Sequence, residues 1–237
     1  MKLIFAYTKS YILEITRNTS ALFFTLFFPA VLLSFFGNNT ADSHAKLIAY
    51  VIYCNFAVQT VMLQALGIAI SAARANPWRD YLKTLPVSSI FTTSGRILSS
   101  LFFATLSLMI VISVNFFNHG VQLSFLQNVL IILCALIGGI PMGLLAVWLG
   151  NLLNPVAARS AFIFLNTLLL FGALTFSSHG VITEIMPSYQ WMMFTLSVIS
   201  QENFFTHLAW LAGYASIFYL LIKFSGSQRS LRIFSQK

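Results

Sequence analysis

The sequence predicts an all-α polytopic membrane protein. Only 13 Lys or Arg and 5 Asp or Glu occur among 237 residues, whereas a soluble domain of this length carries about 59 charged residues. Hydrophobic residues make up 58% of the chain, 24 residues are Phe, and mean hydropathy is +0.85. Because so few polar side chains cannot cover a water-facing surface, the composition excludes a soluble enzyme, a disordered chain and a disulfide-rich secreted domain.

Six apolar runs are long enough to cross a bilayer as helices. A crossing needs about 20 residues, since the hydrocarbon core is about 30 Å thick and a helix rises about 1.5 Å per residue. The runs are continuously apolar, which favours helices over the alternating strands of a membrane barrel. They are Thr19–Phe36, Leu47–Ser71, Ile97–Phe117, Phe125–Gly150, Ser160–Ser177 and Phe205–Phe224.

Two further segments are predicted to lie at the membrane surface. Residues 1–18 have apolar side chains near helical spacing together with three cations, which predicts an amphipathic helix on the inner leaflet rather than a cleaved signal. A frayed basic tail is the alternative. The apolar run Trp191–Ser200 is too short to span, so we expect residues 178–204 to form an external re-entrant or interfacial segment. We expect residues 1–237 to form a single transmembrane domain.

The distribution of cations predicts the topology. With six spans and a cytoplasmic N-terminus, only Lys46 lies outside, and both termini are cytoplasmic. This asymmetry follows the positive-inside rule, and a seventh span would spoil it. The net charge of +8 therefore marks a membrane face and gives no reason to expect nucleic acid. The cations predicted inside are Lys2, Lys9, Arg17, Arg74, Arg79, Lys83, Arg96, Arg159, Lys223, Arg229, Arg232 and Lys237.

The sequence lacks the motifs of several chemistries. It contains no G-x-x-x-x-G-K-[ST] phosphate loop and no G-x-S-x-G nucleophile elbow. All five acids lie outside the predicted spans, and no charged residue falls at mid-span, so the chain offers no obvious site for coupling to an ion gradient. We therefore expect a non-catalytic subunit whose energy for any uphill transport comes from a cytoplasmic partner.

The longest cytoplasmic loop, residues 72–96, contains a short amphipathic segment. Asn76 and Pro77 resemble a helix start, and Pro86 ends the helical pattern. Trp78, Leu82 and Leu85 share one helical face at spacing i, i+4 and i+7. Two interpretations stay open: the face inserts into a groove of a soluble partner, or it lies on the membrane with Trp78 as an interfacial anchor.

The order of these parts resembles the ABC-2 type permease family, the membrane subunits of one class of ATP-binding-cassette transporters. The sharpest match is Arg79-Asp80-Tyr81-Leu82-Lys83-Thr84-Leu85-Pro86-Val87-Ser88, followed by Arg96, and a second is Met186-Pro187-Ser188-Tyr189-Gln190-Trp191. In the family this loop often opens with a Glu-Arg-Glu-x-Gly-Thr type of sequence. This chain differs there and has Ala73-Arg74-Ala75-Asn76-Pro77-Trp78.

The resemblance implies a permease that dimerises, recruits two ATPase subunits and exports its cargo by alternating access. ATP and Mg²⁺ would be bound by the ATPases, and we expect no cofactor on this chain. The second permease is either an identical or a different chain, surrounded by lipid, in a bacterial inner membrane. The cargo expected from the apolar spans and small external loops is a lipophilic small molecule or a lipid. The residues implied in coupling to the ATPase are Pro77, Trp78, Arg79, Asp80, Tyr81, Leu82, Leu85 and Pro86.

The alternative function is a six-span channel that needs no partner, or an accessory subunit of a membrane complex. A membrane-embedded enzyme is disfavoured because the catalytic groups are missing.

Polar and small residues within the spans mark candidate path and packing positions. Asn55, Gln59 and Asn166 either line a substrate path or bond to neighbouring helices. Gly139 and Gly143 form a small-xxx-small pair that brings helices close, either within the chain or between subunits. Prolines in spans one and four, Pro29 and Pro141, are predicted to kink them.

The four histidines are predicted on or near the external side. Their spacing matches no metal-ligand pattern, so we expect no metal site. They are His44, His119, His179 and His207.

Overall fold

The computed structural model describes residues 2–17, 19–37, 42–76, 89–118, 121–174 and 184–234, and these residues contain helices and no strand. Ten α-helices and two π-helical segments follow one another within these ranges. They are α1 (Lys2–Arg17), α2 (Thr19–Leu26), α3 (Phe28–Leu32), a π segment (Leu33–Gly37), α4 (Ser43–Gln59), a second π segment (Thr60–Ala65), α5 (Leu66–Ala75), α6 (Ser89–Phe117), α7 (Phe125–Leu152), α8 (Pro155–Leu174), α9 (Pro187–Ile199) and α10 (Phe205–Phe234).

Five stretches of helix are long and apolar enough to cross a membrane, so the chain is an all-α integral membrane protein. The five correspond to the second to sixth predicted runs, with ends shifted by a few residues. The second run is lengthened most, because its helix extends four residues beyond each end of the prediction. The stretches are Ser43–Ala75, Phe91–Phe117, Phe125–Leu152, Pro155–Leu174 and Phe205–Phe224.

The first predicted run, Thr19–Phe36, is helical but broken into α2, α3 and a π segment. Pro29 lies in the first turn of α3, and because it has no N–H, the Thr25 carbonyl loses its helical donor. The Ser107 hydroxyl of α6 lies 3.3 Å from the Thr25 carbonyl and 3.2 Å from that of Leu26, and donates a hydrogen bond there. A neighbouring helix thus replaces the bond that lipid is unable to supply.

The N-terminal helix α1 is held against the start of α6. A Cβ atom added at Gly95 would lie 2.8 Å from the Cβ of Tyr7, so the two helices cross with almost no space between them. Thr8 is buried in the same crossing, and its hydroxyl donates to the Ile4 carbonyl of its own helix. The predicted N-terminal helix is therefore present and belongs to the bundle by direct packing.

The continuous stretch α4–π–α5 forms the centre of the bundle, whereas α10 lies at its periphery. The central stretch packs against α6, α7, α8 and α9, and its residues from Tyr50 to Leu63 are all buried. On α7, a Cβ added at Gly139 would lie 2.6 Å from Val58, and one at Gly143 would lie 2.9 Å from Met62. The two glycines thus let α7 approach the centre of its own chain.

Helix α9 forms a hairpin with α10 and enters the bundle. Three contacts join the two helices in antiparallel order: the Tyr214 hydroxyl donates to the Ile185 carbonyl, His207 bonds to Gln190, and Phe204 packs on Phe194. The rest of α9 contacts α4, α7 and α8.

Trp191 of α9 is fully buried against the middle of α7. Its indole N–H donates to the Cys134 carbonyl at 3.3 Å, and its ring occupies the space that a side chain at Gly138 would need. Gly138 is the midpoint of α7, so a helix of 13 residues reaches the centre of the bundle.

Alanine at two membrane-helix glycines is expected to have opposite effects on stability. Gly138→Ala places a Cβ into the Trp191 ring, and overpacking of this kind costs about 1–3 kcal/mol. Gly213→Ala on α10 meets no atom within 4 Å and gains helix propensity of about 1 kcal/mol. Thermal unfolding in detergent should show a Tm lowered by about 2–4 °C per kcal/mol for Gly138→Ala and unchanged or raised for Gly213→Ala. Equal shifts for both variants would show that α9 does not occupy this position.

Candidate functional site

The implied coupling residues Pro77, Trp78, Arg79, Asp80, Tyr81, Leu82, Leu85 and Pro86 lie outside the described residues. The two helices that carry this loop are described: α5 ends at Ala75 and α6 begins at Ser89. The structure therefore shows how the ends of the loop are fixed to the bundle.

The end of α5 is bonded to the end of α7. The Ser71 hydroxyl donates to the Leu153 carbonyl at 2.9 Å, and Arg74 donates from Nη2 to the Leu152 carbonyl at 3.5 Å. The last carbonyls of a helix have no intrahelical donor and carry partial negative charge, so a hydroxyl and a guanidinium stabilise them. The point at which the loop leaves α5 is thus tied to α7.

The start of α6 is tied to two other helices by Arg96. Its Nη1 donates to the Ala69 carbonyl of α5 at 2.8 Å, and its guanidinium lies 4.5 Å from the centre of the Tyr11 ring of α1. A cation over an aromatic face is attracted by the ring quadrupole. We call Tyr11, Ser71, Arg74 and Arg96 the loop anchor, since they join α1, α5, α6 and α7 at the end where the loop departs.

A buried cluster of amides joins the centre of the bundle to α8. Gln59 donates from Nε2 to both oxygens of Asn166, at 2.9 Å to Oδ1 and 3.0 Å to the carbonyl. Asn166 donates from Nδ2 to Thr60 at 3.3 Å and to Gln64 at 3.1 Å, and Thr60 in turn donates to the Phe56 carbonyl. We call Gln59, Thr60, Gln64 and Asn166 the amide cluster.

The π segment explains how two glutamines five residues apart reach the same partner. In a regular α-helix Gln59 and Gln64 would point in different directions. The π segment Thr60–Ala65 lies between them, and its turns close over five residues rather than four. The wider turn brings Gln64 to the side of the helix on which Gln59 meets Asn166.

The third predicted path residue, Asn55, faces α9. Its Nδ2 lies 3.5 Å from the Thr195 hydroxyl, and both side chains are buried. Asn55 and Gln59 line one small cavity between α4, α8 and α9. At about 10 Å³ this cavity has room for about one water molecule and is far smaller than a substrate site. The described state is therefore closed at this position, with the path candidates bonded to protein groups.

Charged groups of the five long helices are confined to their ends. Every Asp, Glu, Lys, Arg and His in them lies within six residues of an end. The interior is left with hydroxyls, amides and the buried thiols of Cys54 and Cys134. Such groups supply hydrogen bonds and no mobile charge for ion coupling.

The described histidines are used locally. Asp42 caps the start of α4 by accepting the backbone N–H of His44 at 3.0 Å, and the His207 ring bonds to the Gln190 side chain at 2.7 Å. His119 and His179 lie outside the described residues. Within the described ranges no three His, Cys, Asp or Glu side chains are grouped as metal ligands.

Comparison with known proteins gave no relative from which to infer a function. No family model, no curated protein and no solved structure matches the chain significantly.

Sequence reasoning missed several residues of these sites. Thr60 and Gln64 were not expected beside Asn166, because a π segment has no plain sequence signature. Trp191 was expected in a short apolar run and at the end of the Met186–Trp191 match, but its contact with Gly138 was not predicted.

Removal of Asn166 is expected to destabilise the bundle through the amides left behind. Asn166→Leu removes the side-chain partner of Gln59, Thr60 and Gln64, although Gln59 keeps its bond to the carbonyl of residue 166, and an unsatisfied buried group costs about 1–3 kcal/mol. Thr167→Val is the matched control, because Thr167 is exposed and its hydroxyl bonds only within α8. We expect Tm to fall by about 2–4 °C per kcal/mol for Asn166→Leu and to stay unchanged for Thr167→Val.

A double-mutant cycle separates pairing from packing. If the amides pair as described, Gln59→Leu lowers Tm less in the Asn166→Leu background than in the wild-type protein, because its side-chain partner is already gone. Additive Tm shifts for the two substitutions would contradict the pairing.

Proposed function

We propose that the chain is the membrane permease subunit of an ABC-2 type exporter, driven by a separate ATPase. In this proposal Thr19–Gly37 is the first of six crossings, both termini are cytoplasmic, and α9 is a re-entrant helix on the external side. The broken first segment has 19 residues, which at about 1.5 Å per residue reach about 28 Å, close to the hydrocarbon thickness. The ends that carry Arg74, Arg96 and Arg159 then face the cytoplasm.

The observation that carries the proposal is the loop between α5 and α6. Its sequence Arg79–Ser88 resembles the coupling segment of the family, and the loop anchor fixes both of its ends to the bundle. A segment held at both ends by packed helices passes on a displacement imposed by a partner, whereas a segment on frayed ends absorbs it. The loop anchor thus suits a loop that receives force.

The absence of charge inside the described spans supports an external energy source. Ion-coupled transporters need ionisable groups at membrane depth, and the long helices here keep theirs near the ends. ATP hydrolysis by a bound subunit supplies the energy without such groups.

The interior favours a lipophilic cargo, either a small molecule or a lipid. We propose that the path opens between α4, α8 and α9, past Asn55 and the amide cluster. Buried amides offer hydrogen bonds but no ion pair, which suits a molecule with few charges. In the closed state the amides bond to one another, and opening would exchange these bonds for bonds to cargo.

The proposal is tested by capture of the ATPase. The three variants Trp78→Asp, Leu82→Asp and Leu85→Asp put charge on the proposed docking face, and each is expected to abolish co-purification of an ATPase in mild detergent. Thr84→Asp is the matched control, because helical spacing predicts position 84 away from the face of Trp78, Leu82 and Leu85, so this variant should keep the ATPase. Mass spectrometry of the eluates measures the loss.

Two outcomes would contradict the proposal. In the first, the wild-type chain captures no ATPase from the membrane of its own cells. In the second, purified protein conducts ions in planar bilayers without any partner, which is what the alternative of a partner-independent channel predicts.

A further inference from the structure

Two residues on different helices line one cavity, and each has a buried polar atom without a hydrogen-bond partner. Asn55 Oδ1 on α4 and the Ser188 hydroxyl in the first turn of α9 are both without a partner, and their residues are only 5% and 4% exposed. Both residues line the cavity between α4, α8 and α9. An unpaired buried polar atom costs about 1–3 kcal/mol, so two of them around one space indicate a ligand for both.

The orientation of the Asn55 amide is fixed by its neighbour. The Thr195 hydroxyl donates its only hydrogen to the Trp191 carbonyl at 3.0 Å, and therefore it acts only as an acceptor towards Asn55. The side of Asn55 that faces Thr195 must then be the NH₂ group. Its carbonyl oxygen is then the atom left without a partner, and an amide flip would set two acceptors, Asn55 Oδ1 and the Thr195 oxygen, against each other.

The size of the cavity selects the ligand. At about 10 Å³ it has room for about one water molecule. A water molecule donates to Asn55 Oδ1 and still has a second hydrogen and two lone pairs for the Ser188 hydroxyl. Apolar neighbours such as Ile52, Leu169 and Met192 complete the wall.

We propose that a single structural water molecule occupies this cavity and bridges Asn55 to Ser188. Asn55 then holds α9 at two points: directly at Thr195 and through water at Ser188, at the start of the helix. This site is independent of the function proposed above, because it follows from the closed bundle alone.

A structure of the wild-type protein in nanodiscs, at a resolution that shows ordered water, tests the site directly. We expect one density peak at about 2.7–3.2 Å from both Asn55 Oδ1 and the Ser188 oxygen. An empty cavity, when other buried water is visible, would overturn the proposal. So would a peak with five or more oxygen neighbours at about 2.3–2.6 Å, because that coordination belongs to a cation.

Thermal unfolding gives a second test with a matched control. Ser188→Ala should lower Tm by about 2–4 °C, whereas Ser197→Ala should leave it within about 1 °C, since Ser197 is also buried on α9 but donates to the Met193 carbonyl of its own helix. In an Asn55→Leu background Ser188→Ala should have no further effect. Equal Tm losses for Ser188→Ala in both backgrounds would show that no water joins the two residues.

Discussion

Polar groups inside this bundle have to find partners in the protein or in buried water, because lipid offers none. This constraint determines which helices touch and where. Ser107 bonds to the carbonyls around the break that Pro29 makes in the first predicted span. Gln59 and Asn166 bond to each other. The helices are otherwise joined by apolar surfaces, which pack well in many registers, so the polar bonds select one arrangement.

The same constraint explains why α9 lies inside the bundle although it is too short to span. Three of its side chains bond to three different helices: Thr195 to α4, Trp191 to α7 and Gln190 to α10. At the membrane surface water would satisfy the same groups, and nothing would hold the helix to one position. The hydrogen bonds, together with the flat surface at Gly138, therefore give α9 a defined place.

Much of the fold follows from local sequence, whereas the sites do not. Continuous apolar runs predicted six spans, and five of them are long helices in the structure, because the length needed to cross a membrane constrains each run by itself. The amides Asn55, Gln59 and Asn166 were visible as unusual residues. Their pairing depends on the π segment after Gln59, which arises from packing of the whole bundle. The contact between Trp191 and Gly138 joins residues 53 positions apart, and no local pattern encodes it.

The central functional claim is that the energy for transport comes from a second protein at the loop anchored by Arg96 and Arg74. Native mass spectrometry of the complex, extracted from its own membrane in mild detergent, tests this claim most directly. The account predicts an assembly of two permease chains and two ATPase subunits, in which the second permease is identical or related. A chain found alone, or assembled only with itself, would contradict it.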